Sequence, residues 1–294
     1  PEDLLGLMTL AFSPGFGRIC HGTKIGVRVS FSGLRTLFFA RILPSPAYAM
    51  EHSTMNIPLG KLYGVGVGPG DPQLLTLKAV AIFRKVQVIF AITGPNSQES
   101  VSGGILKELG DCRARRENLL FSMAGSMEER IACWEQAAQR VTEVLAAGED
   151  AAIAILGDPL IYSTFGYLRR QILRRLPEAP IEVVPGITSF QAAAALRGEP
   201  LVENREILTV IPALENSGAN REALKNTDTA VLLKTYRNRD DHIRQVIETM
   251  APASLLYAAR IGHNGAVLET DPGAIAALPA DYLSLLIAKR TADV

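Results

Sequence analysis

The turn with the sequence GVGVGPGDP at residues 64–72 follows an apolar run and precedes a predicted helix. A dinucleotide fingerprint, G-x-G-x-x-G, would require glycine at position 69 or 71, where Pro69 and Asp71 stand. The acidic residue that holds an adenosine ribose about 20 positions further on is also missing, because no Asp or Glu occurs between Pro72 and Gln98. No Gly-Lys-Ser or Gly-Lys-Thr follows, as a P-loop would need. The turn is therefore predicted to admit a ligand or another backbone closely, with Asp71 as a helix cap.

Two further turns follow strand-like runs later in the chain. The segment LGDPLIYST at residues 156–164 contains Asp158. In an open α/β sheet, ligands bind outside the carboxyl ends of the strands, so this turn and the first are expected to face one crevice. An Asx-turn or a helix cap would explain Asp158 equally well. In the third turn, VVPGITSF at residues 183–190, Thr188 or Ser189 is expected to cap the alanine-rich helix that follows.

The elements that must position these turns are visible in the periodicity after Met55. Strand-like and helix-like runs alternate, which predicts an α/β fold with largely parallel sheets. The predicted strands cover residues 62–67, 86–92, 151–156, 181–184, 207–211, 230–233, 255–259 and 282–288.

The clearest helical pattern covers residues 127–147. Ser126 and Glu129 match a capping box, the apolar stripe predicts that Trp134 lies in the core, and Gly148 ends the pattern. Two more helices are predicted, one that follows Asp71 and buries Leu75, Ala79 and Phe83, and one that carries Ile243, Val246, Ile247 and Met250.

The pattern pauses near residues 198–200, which predicts a domain boundary between residues 198 and 199. Residues 55–198 are then an N-terminal α/β domain and residues 199–294 a C-terminal one. Residues 1–54 have no sustained period and are predicted to be a leader outside the core, disordered or not native, with the natural start at Met50 or Met55. The run 47–49 imitates a signal-peptide cleavage site, but two arginines interrupt the apolar region that secretion requires.

The composition excludes several classes of protein. Among 294 residues, 30 Lys and Arg balance 30 Asp and Glu, so the charge footprint of a nucleic-acid binder is missing. The most apolar stretch, residues 79–93, is interrupted by Arg84 and Lys85 and is shorter than the ~18 apolar residues of a membrane span. The three cysteines form no C-x-x-C pair, so they indicate neither a zinc site nor a disulfide framework, and a reducing cytoplasm is expected.

The order GVGPGDP, then LGDPLIYST, then VPGITSFQAAAA resembles the tetrapyrrole methylase family across residues 61–290. This family contains the S-adenosylmethionine-dependent methyltransferases of cobalamin and sirohaem biosynthesis. The runs KLYGVGVGPGDPQLLTLKA and GDPLIYSTFGYL are most similar to its members that methylate C20 of precorrin-2 or cobalt-precorrin-2. The resemblance implies two α/β domains with S-adenosylmethionine in the cleft between them, S-adenosylhomocysteine as product, a tetrapyrrole substrate and a homodimer.

The resemblance also implies which residues contact the cofactor. The first turn is expected to lie beside the cofactor, and the second turn is expected to line it. The third turn is expected near the methionine or ribose portion of the cofactor, and residues 259–262 are expected to form a further wall. The expected contacts are Pro69, Gly70, Asp71, Gly157, Asp158, Ile161, Tyr162, Thr188, Ser189, Ala259 and Arg260.

The reaction that the resemblance implies makes modest demands on the protein. A sulfonium already activates its methyl group, so alignment with the nucleophilic carbon is the main requirement. A methylated meso carbon must also lose its proton, which makes Asp158 the first candidate base and Tyr236 the second. Asp158 is equally suited to stabilise the sulfonium or to hold a backbone amide. Lys234, where related enzymes often have Met, is expected to serve a polyanionic substrate or to end a strand in solvent.

A dense basic run follows the predicted strand 230–233. Arg237 and Arg239, together with Arg260, are expected to bind substrate carboxylates, although an ordinary solvated loop explains the same charges. Methyl transfer needs no metal. Because His242 and His263 each stand alone, any cobalt is expected to arrive in the substrate, and the sequence leaves open whether the substrate carries it.

Several alternatives remain open on the sequence alone. A methyltransferase of the same fold could act on another tetrapyrrole position or, as in the diphthine synthase branch, on a protein side chain. A non-catalytic tetrapyrrole carrier would not need S-adenosylhomocysteine. A nicotinamide dehydrogenase is disfavoured by the spacing of the first turn.

Overall fold

The computed structural model describes residues 58–95, 100–110, 112–123, 125–213 and 218–290, and two short strands before them, β1 (Gly26–Val27) and β2 (Phe38–Phe39). The contacts divide the chain into two units, Pro1–Asn56 and Ile57–Val294. The side chains of the predicted leader, residues 1–54, lie outside the described residues. The fold and the cavity belong to the second unit.

The first sheet of this unit has five parallel strands. Its spatial order is β5-β4-β6-β3-β7. Helices cover both faces, as all-parallel sheets require. The elements are β3 (Leu62–Gly66), α1 (Leu77–Lys85), β4 (Val88–Thr93), α2 (Val101–Lys107), β5 (Arg115–Leu120), α3 (Met127–Ala146), β6 (Ala151–Ile155), α4 (Phe165–Arg175) and β7 (Ile181–Val184).

The second sheet also has five strands, in the order β11-β10-β12-β9-β8. Only the β8–β9 pair is parallel, so the expectation of largely parallel sheets is wrong here; β12, the last strand along the chain, inserts antiparallel between β10 and β9. The elements are α5 (Ser189–Arg197), β8 (Leu208–Pro212), α6 (Gly218–Lys225), β9 (Thr229–Leu233), α7 (Arg239–Met250), β10 (Ser254–Ala259), β11 (Val267–Glu269), α8 (Pro272–Ala277) and β12 (Ser284–Lys289).

Buried apolar side chains explain most of these elements. All five residues of β6 are buried, which is typical of a central parallel strand. Trp134 on α3 is buried as predicted and stacks on Phe121 with ring centroids 5.4 Å apart. The capping box of Ser126 and Glu129 begins α3, as the sequence indicates. The helix predicted to carry Ile243, Val246, Ile247 and Met250 is α7, on which Ile243, Val246 and Met250 are buried and Ile247 is 43% exposed.

The start of α1 differs from the prediction. Asp71 does cap a helical turn, since its side chain accepts a hydrogen bond from the backbone N–H of Gln73, but that turn is a short 3-10 helix at Pro72–Leu74. The α-helix begins only at Leu77, where Thr76 accepts from the backbone of Ala79. Two N-terminal caps therefore follow one another.

Helix α5 follows β7 in the chain but packs against the second sheet. Its Phe190 and Ala193 share a buried cluster with Val231 of β9 and Leu256 of β10. The other face of this sheet is covered by α6, α7 and α8. The domain boundary between residues 198 and 199 stays a prediction, and the packing of α5 means that apolar contacts cross it.

Two absences concern the described residues alone. Within those ranges no helix is long and apolar enough to cross a membrane. Nor does the described part of the chain contain a cluster of three or more His, Cys, Asp or Glu that could hold a metal ion.

Candidate active site

A cavity of about 540 Å³ lies between the two sheets. One side is formed by the carboxyl ends of β4, β6 and β3 with the turn that leads from β7 into α5, and the other by the ends of β9 and β12. Of the residues predicted from the sequence to form a site, eight line it: Pro69, Gly157, Asp158, Ile161, Tyr162, Thr188, Ser189 and Lys234.

Backbone contacts hold the three predicted turns together. Gly68 and Gly157 form an isolated antiparallel bridge, in which the N–H of Gly157 donates to the carbonyl of Gly68 at 2.7 Å. A Cβ on Gly186 would lie 2.2 Å from the carbonyl oxygen of Gly157, and one on Gly66 would lie 2.6 Å from Gly186. No side chain fits at these contacts, so the glycines let three backbones approach one another.

Asp158 joins the second turn to the third. One carboxylate oxygen accepts a hydrogen bond from the backbone N–H of Leu160 at 2.8 Å, and the other accepts from the backbone N–H of Gly186 at 3.0 Å. The first bond forms the Asx-turn that the sequence predicted as one possibility. The second holds a backbone amide, the role that the sequence offered as an alternative to catalysis. Each oxygen keeps a further lone pair, since a carboxylate offers about four acceptor sites.

Tyr162 and Lys234 link the two sides of the cavity. Both have positive φ angles, 45° and 63°, a conformation that is costly for residues other than glycine. The Tyr162 hydroxyl donates to the carbonyl of Val210 on β8 at 3.0 Å, and the ammonium of Lys234 donates to the carbonyl of Tyr162 at 3.4 Å. Burial lowers the pKa of the Lys234 ammonium.

Thr188 caps α5 at the cavity wall. Its side chain accepts from the backbone N–H of Gln191, whose own side chain accepts from the backbone N–H of Thr188. The neighbouring Ser189 also lines the cavity. The third turn is therefore fixed by a capping box, which leaves Ser189 as the hydroxyl not consumed by it.

Gly70 and Asp71 lie outside the cavity wall. A Cβ on Gly70 would lie 2.6 Å from the carbonyl oxygen of Ile261 and 2.7 Å from the His263 ring. In return, a Cβ on Gly262 would lie 2.4 Å from the backbone nitrogen of Asp71. The sequence predicted that either a ligand or another backbone approaches the first turn closely. At Gly70 the structure shows another backbone. Pro69 and Ile261, at the ends of this contact, do line the cavity.

The remaining predicted residues also lie outside the wall. Ala259 is buried in the core of the second sheet. Arg260 is exposed and lies 3.9 Å from the carboxylate of Asp281. Arg237 is exposed over the ring of Tyr236, with its guanidinium carbon 5.3 Å from the ring centroid.

Arg239 has structural partners instead of a place in the cavity. Its guanidinium donates to the carbonyls of Ala276 and Leu278 at 2.9 Å each, which satisfies the C-terminal end of α8. It also lies over the ring of Tyr257. The substrate-contact prediction for Arg239 has no support in this placement.

Sequence reasoning missed several wall residues. Tyr282 lines the cavity and meets the ring of Tyr236 edge-on, with centroids 5.2 Å apart. Burial, with a smaller contribution from Tyr236, raises the pKa of the Tyr282 phenol. Ser100, Ser102 and Phe121 also lie in the wall. No motif marks these positions. Ser100, Ser102 and Phe121 follow the carboxyl ends of β4 and β5, and of these two strands the sequence predicts only β4.

Comparisons with known proteins find relatives of this chain. A relative in Methanocaldococcus jannaschii, named as a probable cobalt-precorrin-2 C(20)-methyltransferase, is 37% identical over 201 residues, or 64% of this chain and 82% of the relative. A precorrin-2 C(20)-methyltransferase of a Sinorhizobium species is 33% identical over 62% of this chain and 76% of its own.

Solved structures share the fold. The uroporphyrin-III C-methyltransferase of Thermus thermophilus superposes with a TM-score of 0.56 and 26% identity, over 79% of this chain and 94% of that one. A cobalt-precorrin-4 methyltransferase gives a TM-score of 0.61 at 19% identity, over 78% and 94% of the two chains, which supports the fold alone.

The family described as tetrapyrrole (corrin/porphyrin) methylases matches residues 61–271, most of the chain, so this protein belongs to that family. It is an S-adenosylmethionine-dependent C-methyltransferase with the α/β fold of its relatives.

The cavity fits the cofactor S-adenosylmethionine in its volume and in the open backbone of one wall. The volume of about 540 Å³ lies within the range of ligand pockets. At Gly157, where φ is +70°, no atom lies within 4 Å of the position that a Cβ would take. A ligand can therefore reach the backbone there, which a larger residue would prevent.

Proposed function

We propose that this protein transfers a methyl group to C20 of precorrin-2 or cobalt-precorrin-2 in cobalamin biosynthesis. The observation that carries the proposal is that all three glycine-containing turns meet at one cavity between the two sheets. The two relatives named for this C20 activity, at 37% and 33% identity, support the choice of ring position.

In this proposal the chain mainly aligns two bound molecules. Bound S-adenosylmethionine would supply a methyl group already activated by its sulfonium. Gly157, Ile161 and Tyr162 form the wall along it, Pro69 lies beside it, and Ser189 offers a hydroxyl at the start of α5. Asp158 holds this wall in shape through its bonds to two loops. Alignment of this kind is the largest rate effect available to such a site.

We assign the removal of the meso proton to Asp158 as the first candidate base. Its carboxylate retains acceptor positions in the cavity wall beyond the two backbone bonds. Tyr236 remains the second candidate; its ring packs edge-on against that of Tyr282, which lines the cavity.

Lys234 is assigned to a substrate carboxylate. Its ammonium is partly buried at the cavity, and a buried cation is stabilised by pairing with an anion. Arg237 and Arg260 are both exposed, and in this proposal they bind substrate carboxylates that extend beyond the cavity.

The test is anaerobic incubation with methyl-labelled S-adenosylmethionine and either precorrin-2 or its cobalt complex, followed by product mass and NMR. One added methyl group at C20 is expected, and the faster substrate answers the question of cobalt. A methyl group at another carbon would keep the family and contradict the C20 assignment. Transfer to no tetrapyrrole, despite binding of S-adenosylhomocysteine, would favour a different acceptor such as a protein side chain.

The homodimer and the cytoplasmic location are further parts of the proposal. Light scattering on the purified protein should give twice the chain mass. A monomer would contradict the dimer without affecting the proposed reaction.

A further inference from the structure

The cavity extends beyond the turns that the family motifs define. Those turns follow β3, β6 and β7, whereas β4 and β5 lie on the far side of β6 in the sheet. With neighbouring strands about 4.8 Å apart, β4 lies about 10 Å from β3 and β5 about 14 Å. This half of the cavity, here called the β4–β5 end, is lined by Gly94, Ser100, Ser102, Phe121 and Met123.

Two buried serines stand in the wall of the β4–β5 end. Ser100 is 7% exposed and Ser102 is 4% exposed. Their hydroxyl oxygens lie 3.0 Å apart and share one hydrogen bond. The Ser100 oxygen also accepts from the backbone N–H of Gly103, so the first amide that this end of α2 presents is already paired.

The hydrogen count of this pair leaves one donor unused. Two hydroxyls carry two hydrogens, and the bond between them uses one. If Ser100 donates to Ser102, the Ser102 hydrogen is left over, and if Ser102 donates, the Ser100 hydrogen is left over. Neither serine has another acceptor among the residues that the structure describes. A buried hydroxyl without an acceptor is unfavourable, so the wall is suited to a ligand that supplies one.

We propose that the Ser100–Ser102 pair binds a carboxylate of the methyl acceptor at the β4–β5 end of the cavity. This inference rests on the proposed function, because it takes the acceptor to be a carboxylate-rich tetrapyrrole. A carboxylate is the strongest hydrogen-bond acceptor such a molecule offers to a hydroxyl. Among the described residues of the wall, Lys234 is the one Lys or Arg, and it belongs to the opposite side, at the end of β9. The serine pair therefore orients the macrocycle from the other end.

The test uses Ser102→Ala and the double variant Ser100→Ala/Ser102→Ala in the full chain. Thr93→Val is the matched control, because Thr93 is a buried hydroxyl at the end of β4 that donates to the carbonyl of Leu119 and does not line the cavity. Titration with sirohydrochlorin, the stable oxidised form of precorrin-2, gives the tetrapyrrole Kd, and calorimetry gives the Kd for S-adenosylhomocysteine. Thermal melting checks that each variant folds.

We expect the tetrapyrrole Kd to rise about tenfold in the double variant and somewhat less in Ser102→Ala, as for a lost bond to a charged group. The Kd for S-adenosylhomocysteine should be unchanged, and Thr93→Val should bind both ligands as the wild type does. An unchanged tetrapyrrole Kd in the double variant, or in Ser102→Ala should the double variant not fold, would overturn the proposal. A parallel loss of S-adenosylhomocysteine affinity would also overturn it, because the pair would then face the cofactor. Wild-type protein that binds S-adenosylhomocysteine but no tetrapyrrole would contradict the proposed function itself.

Discussion

The two sides of the cavity are built in different ways. The first side, from the loops after β3, β6 and β7, is held by backbone contacts at Gly66, Gly157 and Gly186. The second side, from β9 and β12, offers side chains to the cavity, such as Lys234 and Tyr282. The first side depends on the absence of side chains, and the second on their presence.

This difference determines how each side tolerates change. Where backbones touch, even one added methyl group meets a neighbouring chain that cannot move without shifting a whole loop. Where side chains line the wall, a substitution changes one contact and leaves the loop in place. Substitutions at the backbone contacts of the first side should therefore affect cofactor binding and stability together. Substitutions of side chains that line the wall, such as Lys234 or the serine pair of the β4–β5 end, should affect substrate binding alone.

The largest effect is expected for Gly186→Ala. The new Cβ would meet the carbonyl oxygen of Gly157 at 2.2 Å, so the third turn must move away from the second. We expect a loss of about 3 kcal/mol in the free energy of unfolding and no measurable binding of S-adenosylhomocysteine by calorimetry. Gly104→Ala in α2, with no atom within 4 Å of its Cβ, is the control and should be neutral or stabilising by up to about 1 kcal/mol. Normal binding by Gly186→Ala would contradict the backbone description of the first side.

Replacing Asp158 separates its two roles. Asp158→Ala loses both backbone bonds, which should cost about 1 to 3 kcal/mol of stability. Turnover should fall by about 100-fold or more if the carboxylate also takes the proton. Asp158→Asn keeps one carbonyl acceptor for a backbone N–H and removes the charge. Turnover near the wild-type value in Asp158→Asn would leave the amide-holding role as sufficient and remove the general base.

The fold was predictable from the sequence wherever one interaction dominated. Strands β3, β4 and β6 are largely buried runs without charged residues, and β7 is apolar apart from Glu182; the predicted bounds of all four agree closely with the observed ones. Strand β5 was missed because it is an edge strand with the sequence RRENLL, in which polar groups are stabilised by pairing. There, Arg115 and Arg140 each bind Glu117 at 2.8 Å. Local sequence does not show such distant partners.

The candidate site was predictable to the same extent. The three turns can be identified from their glycine, proline and capping residues, because the conformational preferences of these residues are local. The arginines that follow β9 were expected at the substrate because of their charge, yet Arg239 caps α8 more than 30 positions along the chain. Tyr282 and the serine pair carry no local signal, since only the tertiary fold brings them to the wall.

On the second side, Lys234→Met should mainly affect the substrate. Met, Arg and Lys meet a similar backbone cost at a φ of 63°, so Lys234→Met differs from Lys234→Arg chiefly in charge. We expect the KM for the tetrapyrrole to rise about tenfold in Lys234→Met, with the Kd for S-adenosylhomocysteine little changed. Lys234→Arg should retain most of the affinity. Equal KM values in the Met and Arg variants would show that the charge does not reach the substrate.

A smaller effect, and one on stability alone, is expected for Arg239→Ala. Loss of the bonds to Ala276 and Leu278 and of the contact with the Tyr257 ring should lower the free energy of unfolding by about 1 to 2 kcal/mol. The KM for the tetrapyrrole should equal that of the wild type, measured at a temperature where both proteins are folded. A raised KM with normal stability would restore Arg239 as a substrate contact.

The smallest effect is expected for His263, whose ring packs against Gly70 just outside the cavity wall. Burial lowers the pKa of its imidazole, the Arg260 charge lowers it further, and the Pro69 carbonyl and Asp281 oppose the shift. Because the folded-state pKa lies below the unfolded value of about 6.5, the neutral ring stabilises the fold above that pH, and this stability is lost as the pH falls towards the lowered pKa. His263→Gln should therefore reduce the difference in Tm between pH 7.5 and pH 5.5 by about 1 to 2 °C. The buried His242, whose pKa burial also lowers, remains in both proteins and cancels from the comparison. An unchanged difference would mean that the contact at Gly70 is held by shape alone, as at Gly186.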